Sequence, residues 1–250
     1  MCRHLAYVGP PVALGELLLL PEHGLLRQAW APRTQSSGVV NADGFGVGWY
    51  AGGDPVPARY RRTGPIWGDL SFADLGRVVR SGALLGAVRG ATLPGADGEA
   101  AAAPFASGPW LFSHNGAVPG WPGALTGLAA ALPAGELLAL EARTDSALLW
   151  ALVLHRLRAG DAPGDALADT VREVAGAAPD ARLNLLLTDG SAIAATAWHN
   201  SLWYLTGPGR VAVASEPYDD DPRWREVPDH TLVTATRTDV VLTPLKEPSA

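Results

Sequence analysis

Short apolar stretches bounded by glycine and proline dominate the first half of the chain. Their spacing predicts strands at residues 2–8, 44–50, 84–89 and 110–114. The first strand is expected to end at Gly9-Pro10-Pro11, and a helical apolar pattern over residues 12–20 is expected to stop at Pro21. The chain therefore opens directly into regular structure.

Two further features lie in the middle of the chain. Ser71, followed by Asp74 three residues later, resembles a capping box and predicts a helix that runs to Gly82. Residues 94–109 are rich in Ala, Gly and Pro, which favours a surface loop. Because an apolar strand resumes directly after this loop, it is not interpreted as a linker between domains.

The second half combines a helical layer with further strands. Thr144 can cap a helix that runs to about Arg158, and residues 164–178 predict a second helix; both carry stripes of Leu, Val and Ala. Strands are predicted at residues 182–188, 192–199, 210–215 and 231–236. Helices and strands therefore alternate irregularly along the chain, and its last part is rich in strands.

Composition limits the classes of function. The chain has 250 residues, 48% of them hydrophobic, so it can bury one large core, and a single domain over residues 1–250 is expected. Its formal net charge of -6, with Lys and Arg spread out, argues against a nucleic-acid surface. The single cysteine excludes an internal disulfide, and no export signal is recognisable, so a cytoplasmic setting is expected. The apolar stretch at 14–20 is too short to cross a bilayer and contains Glu16.

The single cysteine is also the first candidate for chemistry. Removal of Met1 would leave Cys2 with a thiol and a free α-amine on one residue. An α-amine has a pKa of roughly 7.7 to 8.0, so it can take the thiol proton directly or through a water, and no separate histidine is required. Cys2 is therefore a candidate nucleophile, although a cysteine at the second position also occurs by chance.

A candidate oxyanion hole follows an apolar strand, in Ser113-His114-Asn115-Gly116. An Asn-Gly pair at a strand end can direct a side-chain amide and a backbone N–H at one point, which is the geometry that an oxyanion requires. The alternative interpretation is an ordinary turn, the commoner use of this dipeptide.

Two charged residues could hold a substrate. Arg89 ends a strand in the stretch Ala87-Val88-Arg89-Gly90-Ala91-Thr92, where it could clamp a carboxylate through two hydrogen bonds or form a surface ion pair. Asp145 follows Thr144 in the first turn of a predicted helix. It could bind an ammonium group, or it could only complement the helix dipole.

The order of these motifs resembles the class II glutamine amidotransferase domain of the N-terminal nucleophile hydrolases. The motifs are an N-terminal Cys, Asp-Gly-Phe-Gly, Arg-x-x-Thr, His-Asn-Gly and Thr-Asp-Ser. Within that family the sequence is similar to the γ-glutamyl-hercynylcysteine sulfoxide hydrolases of ergothioneine biosynthesis. This similarity covers nearly the whole chain and is carried by Met1-Cys2-Arg3-His4-Leu5, Asn41-Ala42-Asp43-Gly44-Phe45-Gly46-Val47-Gly48-Trp49 and Ala214-Ser215-Glu216-Pro217.

The resemblance implies a fold and a reaction. The fold would be α+β, a four-layer αββα sandwich of the N-terminal nucleophile hydrolase type. The reaction would be cleavage of a γ-glutamyl amide through a thioester on Cys2, with the oxyanion stabilised by Asn115 and Gly116. A small γ-glutamyl molecule is the expected partner; no cofactor, nucleic acid or membrane is expected, and the oligomeric state stays open.

The resemblance also implies which residues bind the glutamyl group. Arg89 and Asp145 would hold its α-carboxylate and α-amine. Thr92 of the Arg-x-x-Thr motif and His114 of the His-Asn-Gly motif are the further candidates for substrate binding.

The sequence departs from the usual glutaminase pattern near the arginine. Gly90 and Leu93 stand where many amidotransferases have Trp and His, which predicts that glutamine is a poor substrate. The chain ends without a synthase domain to receive ammonia, which favours a free-standing hydrolase. Two alternatives stay open: a glutaminase subunit that serves a separate synthase, and a non-catalytic module that keeps Met1 and binds glutamyl metabolites.

Histidines and acidic residues elsewhere give weaker signals. The six histidines, including His4, His114 and His199, are not spaced as metal ligands along the sequence, so no metal is expected. The acidic run at 219–221 is interpreted as a solvated loop, with contact to a substrate cation as the alternative.

Nine tryptophans exceed what packing needs. A trimethylammonium group on the implied substrate could lie on the face of Trp30, Trp49 or Trp224, although each could equally be a packing residue.

Overall fold

The computed structural model describes residues 2–35, 38, 40–91 and 98–246, and thirteen strands and seven helices lie in this part of the chain. The strands are β1 (Cys2–Ala13), β2 (Phe45–Trp49), β3 (Ala58–Arg62), β4 (Arg80–Arg89), β5 (Phe105–Ser107), β6 (Trp110–Ala117), β7 (Arg182–Thr188), β8 (Ala192–Ala197), β9 (Trp203–Gly207), β10 (Arg210–Ala214), β11 (Arg225–Glu226), β12 (Thr231–Thr236) and β13 (Val240–Pro244). The helices are α1 (Leu14–Leu18), α2 (Leu25–Gln28), α3 (Leu70–Val78), α4 (Thr126–Ala131), α5 (Ala134–Leu138), α6 (Asp145–Ala159) and α7 (Pro163–Ala177). Single turns of 3-10 helix lie at Ile66–Gly68, Glu99–Ala101 and Gly123–Leu125. Within the described residues, no helix has the length and apolar character that a bilayer crossing requires.

The strands form two antiparallel sheets. The first sheet has seven strands in the order β11-β9-β10-β1-β4-β2-β3, and the second has six in the order β13-β12-β8-β7-β6-β5. Strand β1 lies at the centre of the first sheet and pairs with β10 on one side and β4 on the other. The chain's first described residue therefore starts an inner strand that pairs with β4 from that residue onwards.

The alternation of side chains along the strands divides the core into layers. On β1, Leu5 packs with apolar residues of α1, α2 and α3, whereas Ala6 lies in a core that the two sheets share. On β7, Leu185 packs with α6 and α7, whereas Leu186 lies in the shared core. The layers run helices, sheet, sheet, helices. The α+β fold and the four-layer αββα sandwich are thus confirmed.

The predicted helical layer and the strands that follow it are also confirmed. The side chain of Thr144 accepts a hydrogen bond from the backbone N–H of Ala147 at 3.2 Å, which is the expected cap of α6. The four strands predicted after α7 correspond to β7, β8, β10 and β12 within about two residues at each end. The strands β3, β9, β11 and β13 were not predicted; β3, β11 and β13 are edge strands and β9 is next to one, and β3 and β13 have mostly exposed side chains.

The prediction that the first strand ends at Gly9-Pro10-Pro11 was wrong, because β1 continues to Ala13. Its pairing with β4 shifts register between Val8 and Val12. The two prolines lie in this irregular stretch, where their missing N–H groups remove no bond from a regular ladder. The helix expected over residues 12–20 is accordingly confined to α1.

Two predictions for the middle of the chain were also wrong. Asp69 rather than Ser71 caps α3, through a hydrogen bond of 3.1 Å from the backbone N–H of Phe72, and the helix ends at Val78 instead of Gly82. Of the loop expected over residues 94–109, residues 94–97 lie outside the described residues, and the remainder contains the short strand β5, which pairs with β6 at the edge of the second sheet. The Ala, Gly and Pro content of this segment is typical of a loop, so the sequence did not predict the strand.

A buried ion pair connects β1 to the second residue after β10. The guanidinium of Arg3 lies 3.3 Å from the carboxylate of Glu216, and each side chain is 1% exposed. The same carboxylate accepts hydrogen bonds from the backbone N–H groups of Arg33 and Thr34, both at 2.9 Å. Glu216 therefore anchors the segment after α2 to the central strand of the first sheet.

We expect Glu216→Gln to lower the free energy of unfolding by about 3–5 kcal/mol, because it leaves Arg3 as a buried charge without its counter-ion. Glu141→Gln is a matched control, since Glu141 also pairs with arginines, Arg59 at 3.2 Å and Arg61 at 2.9 Å, but is partly exposed. The control should lose less than about 1 kcal/mol. Urea unfolding followed by circular dichroism measures both values. Equal losses would contradict the role given to the buried pair.

Candidate active site

The antiparallel register of β1 and β4 brings Cys2 and Arg89 together. Cys2 is the first residue of β1, Arg89 is the last residue of β4, and their Cα atoms are register partners. The Cys2 thiol is free and its side chain is partly buried. Two of the predicted site residues, 87 positions apart in the sequence, therefore meet at one end of the first sheet.

A small cavity of about 20 Å³ lies beside Cys2. Its polar lining consists of Cys2, Arg89, His114 and Ser146, and its apolar lining consists of Phe45, Ala87, Val88, Ala101, Ala103 and Phe105. A volume of this size has room for about one water molecule. The first sheet, the second sheet and the start of α6 thus contribute side chains to one pocket.

Burial raises the pKa of the Cys2 thiol above its ordinary value. The positive charge of Arg89 acts in the opposite direction, and the negative charge of Asp145 adds to the rise. The thiol is therefore protonated at neutral pH. It becomes a nucleophile only when a base close to it removes the proton.

His114 lines the cavity, but both of its ring nitrogens have protein partners. Nε2 lies 2.9 Å from the carbonyl oxygen of Arg182, which can only accept, so Nε2 carries the hydrogen. Nδ1 lies 2.9 Å from the hydroxyl of Ser146, which donates to it. Burial lowers the pKa of His114, although Asp145 opposes the shift. The hydrogen bond to Ser146 connects β6 to α6. Because both nitrogens of the neutral His114 ring are already hydrogen-bonded, the ring is poorly suited to act as a base for Cys2.

Asn115 is fully buried in β6 and hydrogen-bonded towards β1. Its Nδ2 donates to the hydroxyl oxygen of Ser215 at 3.1 Å, and the same oxygen accepts from the backbone N–H of His4 at 3.1 Å. Its backbone carbonyl accepts a hydrogen bond of 3.0 Å from the side chain of Asn200. The side-chain oxygen of Asn115 is buried and has no hydrogen-bond partner within the described part of the chain.

Gly116 follows Asn115 in the same strand, so the interpretation of this pair as a turn was wrong. A Cβ atom at Gly116 would collide with the carbonyl oxygen of Arg182 and with the ring of His114. The close approach of β7 therefore requires glycine at this position.

Asp145 is the first residue of α6, close enough to Cys2 and His114 to affect both pKa values. One carboxylate oxygen accepts from the backbone N–H of Val118 at 3.0 Å, and the other accepts from that of Ser146 at 2.7 Å. These bonds fix the carboxylate at the helix N-terminus. Oδ1 also lies 3.3 Å from the Ser146 hydroxyl, whereas Oδ2 keeps a further lone pair.

Arg89 is braced by the residue before the Gly-Phe-Gly stretch. Its guanidinium donates to the carbonyl oxygen of Asp43 at 3.3 Å, and the backbone N–H of Asp43 donates to the Arg89 carbonyl at 2.8 Å. Among the described residues, no carboxylate forms an ion pair with Arg89. The expected alternative of a surface ion pair therefore has no support there. Thr92 lies outside the described residues, as does Leu93.

The structure favours packing for one of the tryptophans. Trp224 is buried against Tyr218, with ring centroids 5.0 Å apart, and its Nε1 donates to Asp219 of the acidic run. Trp30 is 37% exposed and meets Trp67 edge to face at 5.4 Å.

Sequence reasoning did not identify the residues that hydrogen-bond to Asn115 and His114 and fix their positions. Ser215 orients the amide of Asn115, Asn200 binds its backbone carbonyl, and Ser146 binds His114. Ser215 belongs to the Ala-Ser-Glu-Pro stretch that carries part of the family resemblance, which is a signal that could have identified it. Ser146 is the last residue of the Thr-Asp-Ser motif, which gave the same kind of signal, whereas Asn200 gave none.

Comparison with known proteins identifies relatives of similar length. The family of class-II glutamine amidotransferases matches residues 25–208. A γ-glutamyl-hercynylcysteine sulfoxide hydrolase of Mycolicibacterium smegmatis is 44% identical over 245 residues, which cover 98% of this chain and 100% of the relative. The hydrolase of the same name from Mycobacterium tuberculosis is 44% identical over 246 residues, which cover 98% of this chain and 97% of the relative.

Solved structures agree with this relationship. A glutamine aminotransferase class-II domain protein from Silicibacter pomeroyi has a TM-score of 0.71 and 27% identity, with 98% of this chain and 100% of that chain covered. Glutamine phosphoribosylpyrophosphate amidotransferase from B. subtilis has a TM-score of 0.65 and 15% identity, with 98% of this chain and 49% of that chain covered, and supports the fold alone. The chain thus belongs to the class-II glutamine amidotransferase family.

Proposed function

We propose that this protein hydrolyses the γ-glutamyl amide of γ-glutamyl-hercynylcysteine sulfoxide and releases glutamate and hercynylcysteine sulfoxide. The observation that carries the proposal is that the partly buried thiol of Cys2 and the guanidinium of Arg89 meet at one pocket. Within the described residues, no carboxylate pairs with that guanidinium. Relatives that are 44% identical over nearly the whole chain bear the name of this activity.

The proposed nucleophile is Cys2 after removal of Met1. Burial keeps the thiol protonated, and the nitrogens of the nearby His114 are both engaged, so the base is the α-amine of Cys2 itself. The amine takes the thiol proton, and the sulfur attacks the γ-carbonyl carbon. The proton passes to the leaving amine as the C–N bond breaks, and a thioester remains. Water then attacks the thioester, glutamate leaves, and the thiol regains its proton.

The proposed oxyanion hole consists of the Asn115 side chain and the backbone N–H of Gly116. Rotation of the Asn115 amide by a half-turn would let the Ser215 hydroxyl donate to the amide oxygen, while the Ser215 oxygen still accepts from His4. The buried position that lacks a partner would then hold the –NH₂ group. An unfilled buried donor is what a developing oxyanion requires.

The proposed binding groups for the glutamyl end are Arg89 for the α-carboxylate and Asp145 for the α-amine. Arg89 is braced by Asp43 and stays available for a carboxylate, and Oδ2 of Asp145 keeps a lone pair after its bond to the backbone of Val118. Thr92 and His114 are proposed as additional parts of this subsite, His114 as a wall of the cavity.

The proposal also covers the domain organisation and the cellular compartment of the protein. We infer that residues 1–250 act as one domain, because the family match and the relatives span most of the chain. We also infer a cytoplasmic setting, since a free thiol that must stay reduced suits a reducing compartment.

Cys2→Ala is expected to abolish turnover while substrate binding persists, because the change removes the nucleophile and leaves Arg89 and Asp145 in place. Intact-mass spectrometry of the active wild-type protein should report loss of Met1, since an acylated nitrogen cannot act as a base. Calorimetric titration of the variant with substrate serves as the control for folding. Activity near the wild-type level in Cys2→Ala, or active protein that retains Met1, would contradict the proposal.

Asn115→Ala should lower kcat by about 10²–10³ with little change in KM, the usual effect of losing one oxyanion donor. Ser215→Ala removes the group that orients the amide but no donor, so its loss in kcat should be smaller. Steady-state kinetics and alkylation of Cys2 test both variants, and the alkylation rate should stay near that of the wild type. A change confined to KM would assign Asn115 to substrate binding instead.

Removal of the α-carboxylate from the substrate should lower kcat/KM by an amount equivalent to about 2–5 kcal/mol, because a desolvated Arg89 is left unpaired. In Arg89→Ala the same substrate change should cost almost nothing further. Arg77→Ala is the control, since Arg77 is exposed and pairs with Asp74 on α3. If the losses in kcat/KM from the substrate change and from Arg89→Ala were fully additive, Arg89 would not bind the α-carboxylate.

Glutamine should have a lower kcat/KM than the sulfoxide conjugate, because ammonia as leaving group provides no remote binding energy to position the γ-carbonyl. Parallel assays of glutamate release from both substrates measure the ratio. Equal values would favour a general glutaminase that serves a separate synthase.

A further inference from the structure

Two histidines and an aspartate from two separate turns converge next to Asn200, whose side chain binds the backbone carbonyl of Asn115. His199 follows β8, and Asp229 and His230 precede β12. One ligand atom from each side chain lies within 4.8 Å of the other two. We propose that this histidine–aspartate cluster, His199, Asp229 and His230, binds a divalent transition-metal ion of the Zn²⁺ class.

The tautomer of His199 suits a metal ligand. Its Nδ1 lies 3.1 Å from the carbonyl oxygen of Ala181, which can only accept, so Nδ1 carries the hydrogen. In the neutral ring the lone pair is then on Nε2. A backbone carbonyl that binds the other ring nitrogen is the usual way in which proteins orient a histidine ligand and fix its tautomer.

The two carboxylate oxygens of Asp229 have different surroundings. Oδ1 accepts from the backbone N–H of His199 at 2.8 Å and from that of His230 at 3.0 Å. Oδ2 lies 3.8 Å from Nε2 of His230. This separation is too long for a hydrogen bond. It suits two ligands of one ion, because bonds of about 2.0–2.2 Å place ligand atoms roughly 3–4 Å apart.

The backbone and the neighbouring ring restrict both histidines. His199 and His230 have φ values of 64° and 54°, in the left-handed region that costs a non-glycine residue energy. The ring of His230 lies on Trp198, with centroids 4.2 Å apart, and the two imidazole rings are 5.0 Å apart. The imidazoles are therefore presented side by side before an ion arrives, which lowers the entropic cost of binding.

The ligand chemistry favours Zn²⁺ over Mg²⁺ or Ca²⁺. Two imidazoles and one carboxylate form a nitrogen-rich set, whereas the hard alkaline-earth ions prefer oxygen ligands. The cluster supplies three ligands, so water would complete the coordination.

A second group of acidic residues and histidine provides an internal comparison. Glu22, His23 and Asp220 also bring ligand atoms together, but Asp220 already pairs with the guanidinium of Arg33 at 3.4 Å. Because this cation opposes a metal ion, we expect the second group to bind Zn²⁺ much more weakly.

The ion would act on structure rather than on the hydrolytic chemistry. None of the three ligands lines the cavity at Cys2. Asn200 follows His199 directly and donates to the backbone carbonyl of Asn115. A bound ion would therefore fix the turn that supports Asn115 and would raise the melting temperature, as any ligand of the native state does.

The test uses untagged protein with Cys2→Ala, so that the thiol and α-amine cannot chelate the metal. After treatment with EDTA and dialysis, calorimetric titration with Zn²⁺ should give one equivalent bound, and Co²⁺ should give a visible absorption spectrum. His199→Ala and His230→Gln should each weaken Zn²⁺ binding by at least about tenfold, whereas His23→Ala should leave it unchanged. Circular dichroism checks the fold of each variant.

Several outcomes would overturn the inference: no Zn²⁺ bound, binding that survives in both His199→Ala and His230→Gln, or binding that is lost in His23→Ala. The hydrolase assignment is tested separately, because in protein that keeps Cys2 the His199→Ala change should leave glutamate release in EDTA within about twofold of the unchanged protein. A loss of Zn²⁺ binding with unchanged hydrolysis would support the cluster as an independent structural site.

Discussion

The site depends on the antiparallel register of β1 between β4 and β10. Cys2 is opposite Arg89 on one side, and on the other side Leu5 is opposite Ala214, the residue before Ser215. A shift of the β1 register by one residue would turn every side chain of β1 to the other face of the sheet and would move the Cys2 side chain away from the cavity. Both faces of β1 are packed, so a slip would also move Leu5 and Ala6 into the wrong cores. The packing of two apolar layers thus fixes the position of the Cys2 thiol.

The end of β10 adds a second constraint, through two consecutive residues with different tasks. Ser215 orients the amide of Asn115 in the second sheet, and Glu216 forms the buried ion pair with Arg3 and holds Arg33 and Thr34. Burial makes each of these groups costly if it is left without a partner. The Ser-Glu pair therefore satisfies polar groups of three separate segments.

Sequence reasoning succeeded where local chemistry and tertiary structure agree. The apolar stripes and the Thr144 cap were enough for α6, and stretches rich in Leu, Val, Ala or Thr were enough for β7 and β12. It failed at the prolines of β1 and at β5, because residues typical of loops lie there in strands that are held by their neighbours. The contacts of Ser215 could not be derived from local pattern, and neither could the convergence of His199 with Asp229, 30 positions later, since both depend on pairing between distant segments.

The proposed specificity for a glutamyl group follows from where its two charges would bind. The α-carbon of a glutamyl group carries a carboxylate and an ammonium a short distance apart. Arg89 stands at the end of β4 in the first sheet, whereas Asp145 begins α6, which packs on the second sheet. A cation and an anion held by different layers match this pair of charges, and a substrate that lacks one of them leaves the opposite protein charge poorly solvated. Because neither layer carries both groups, selection of the glutamyl end requires the two sheets to be packed together.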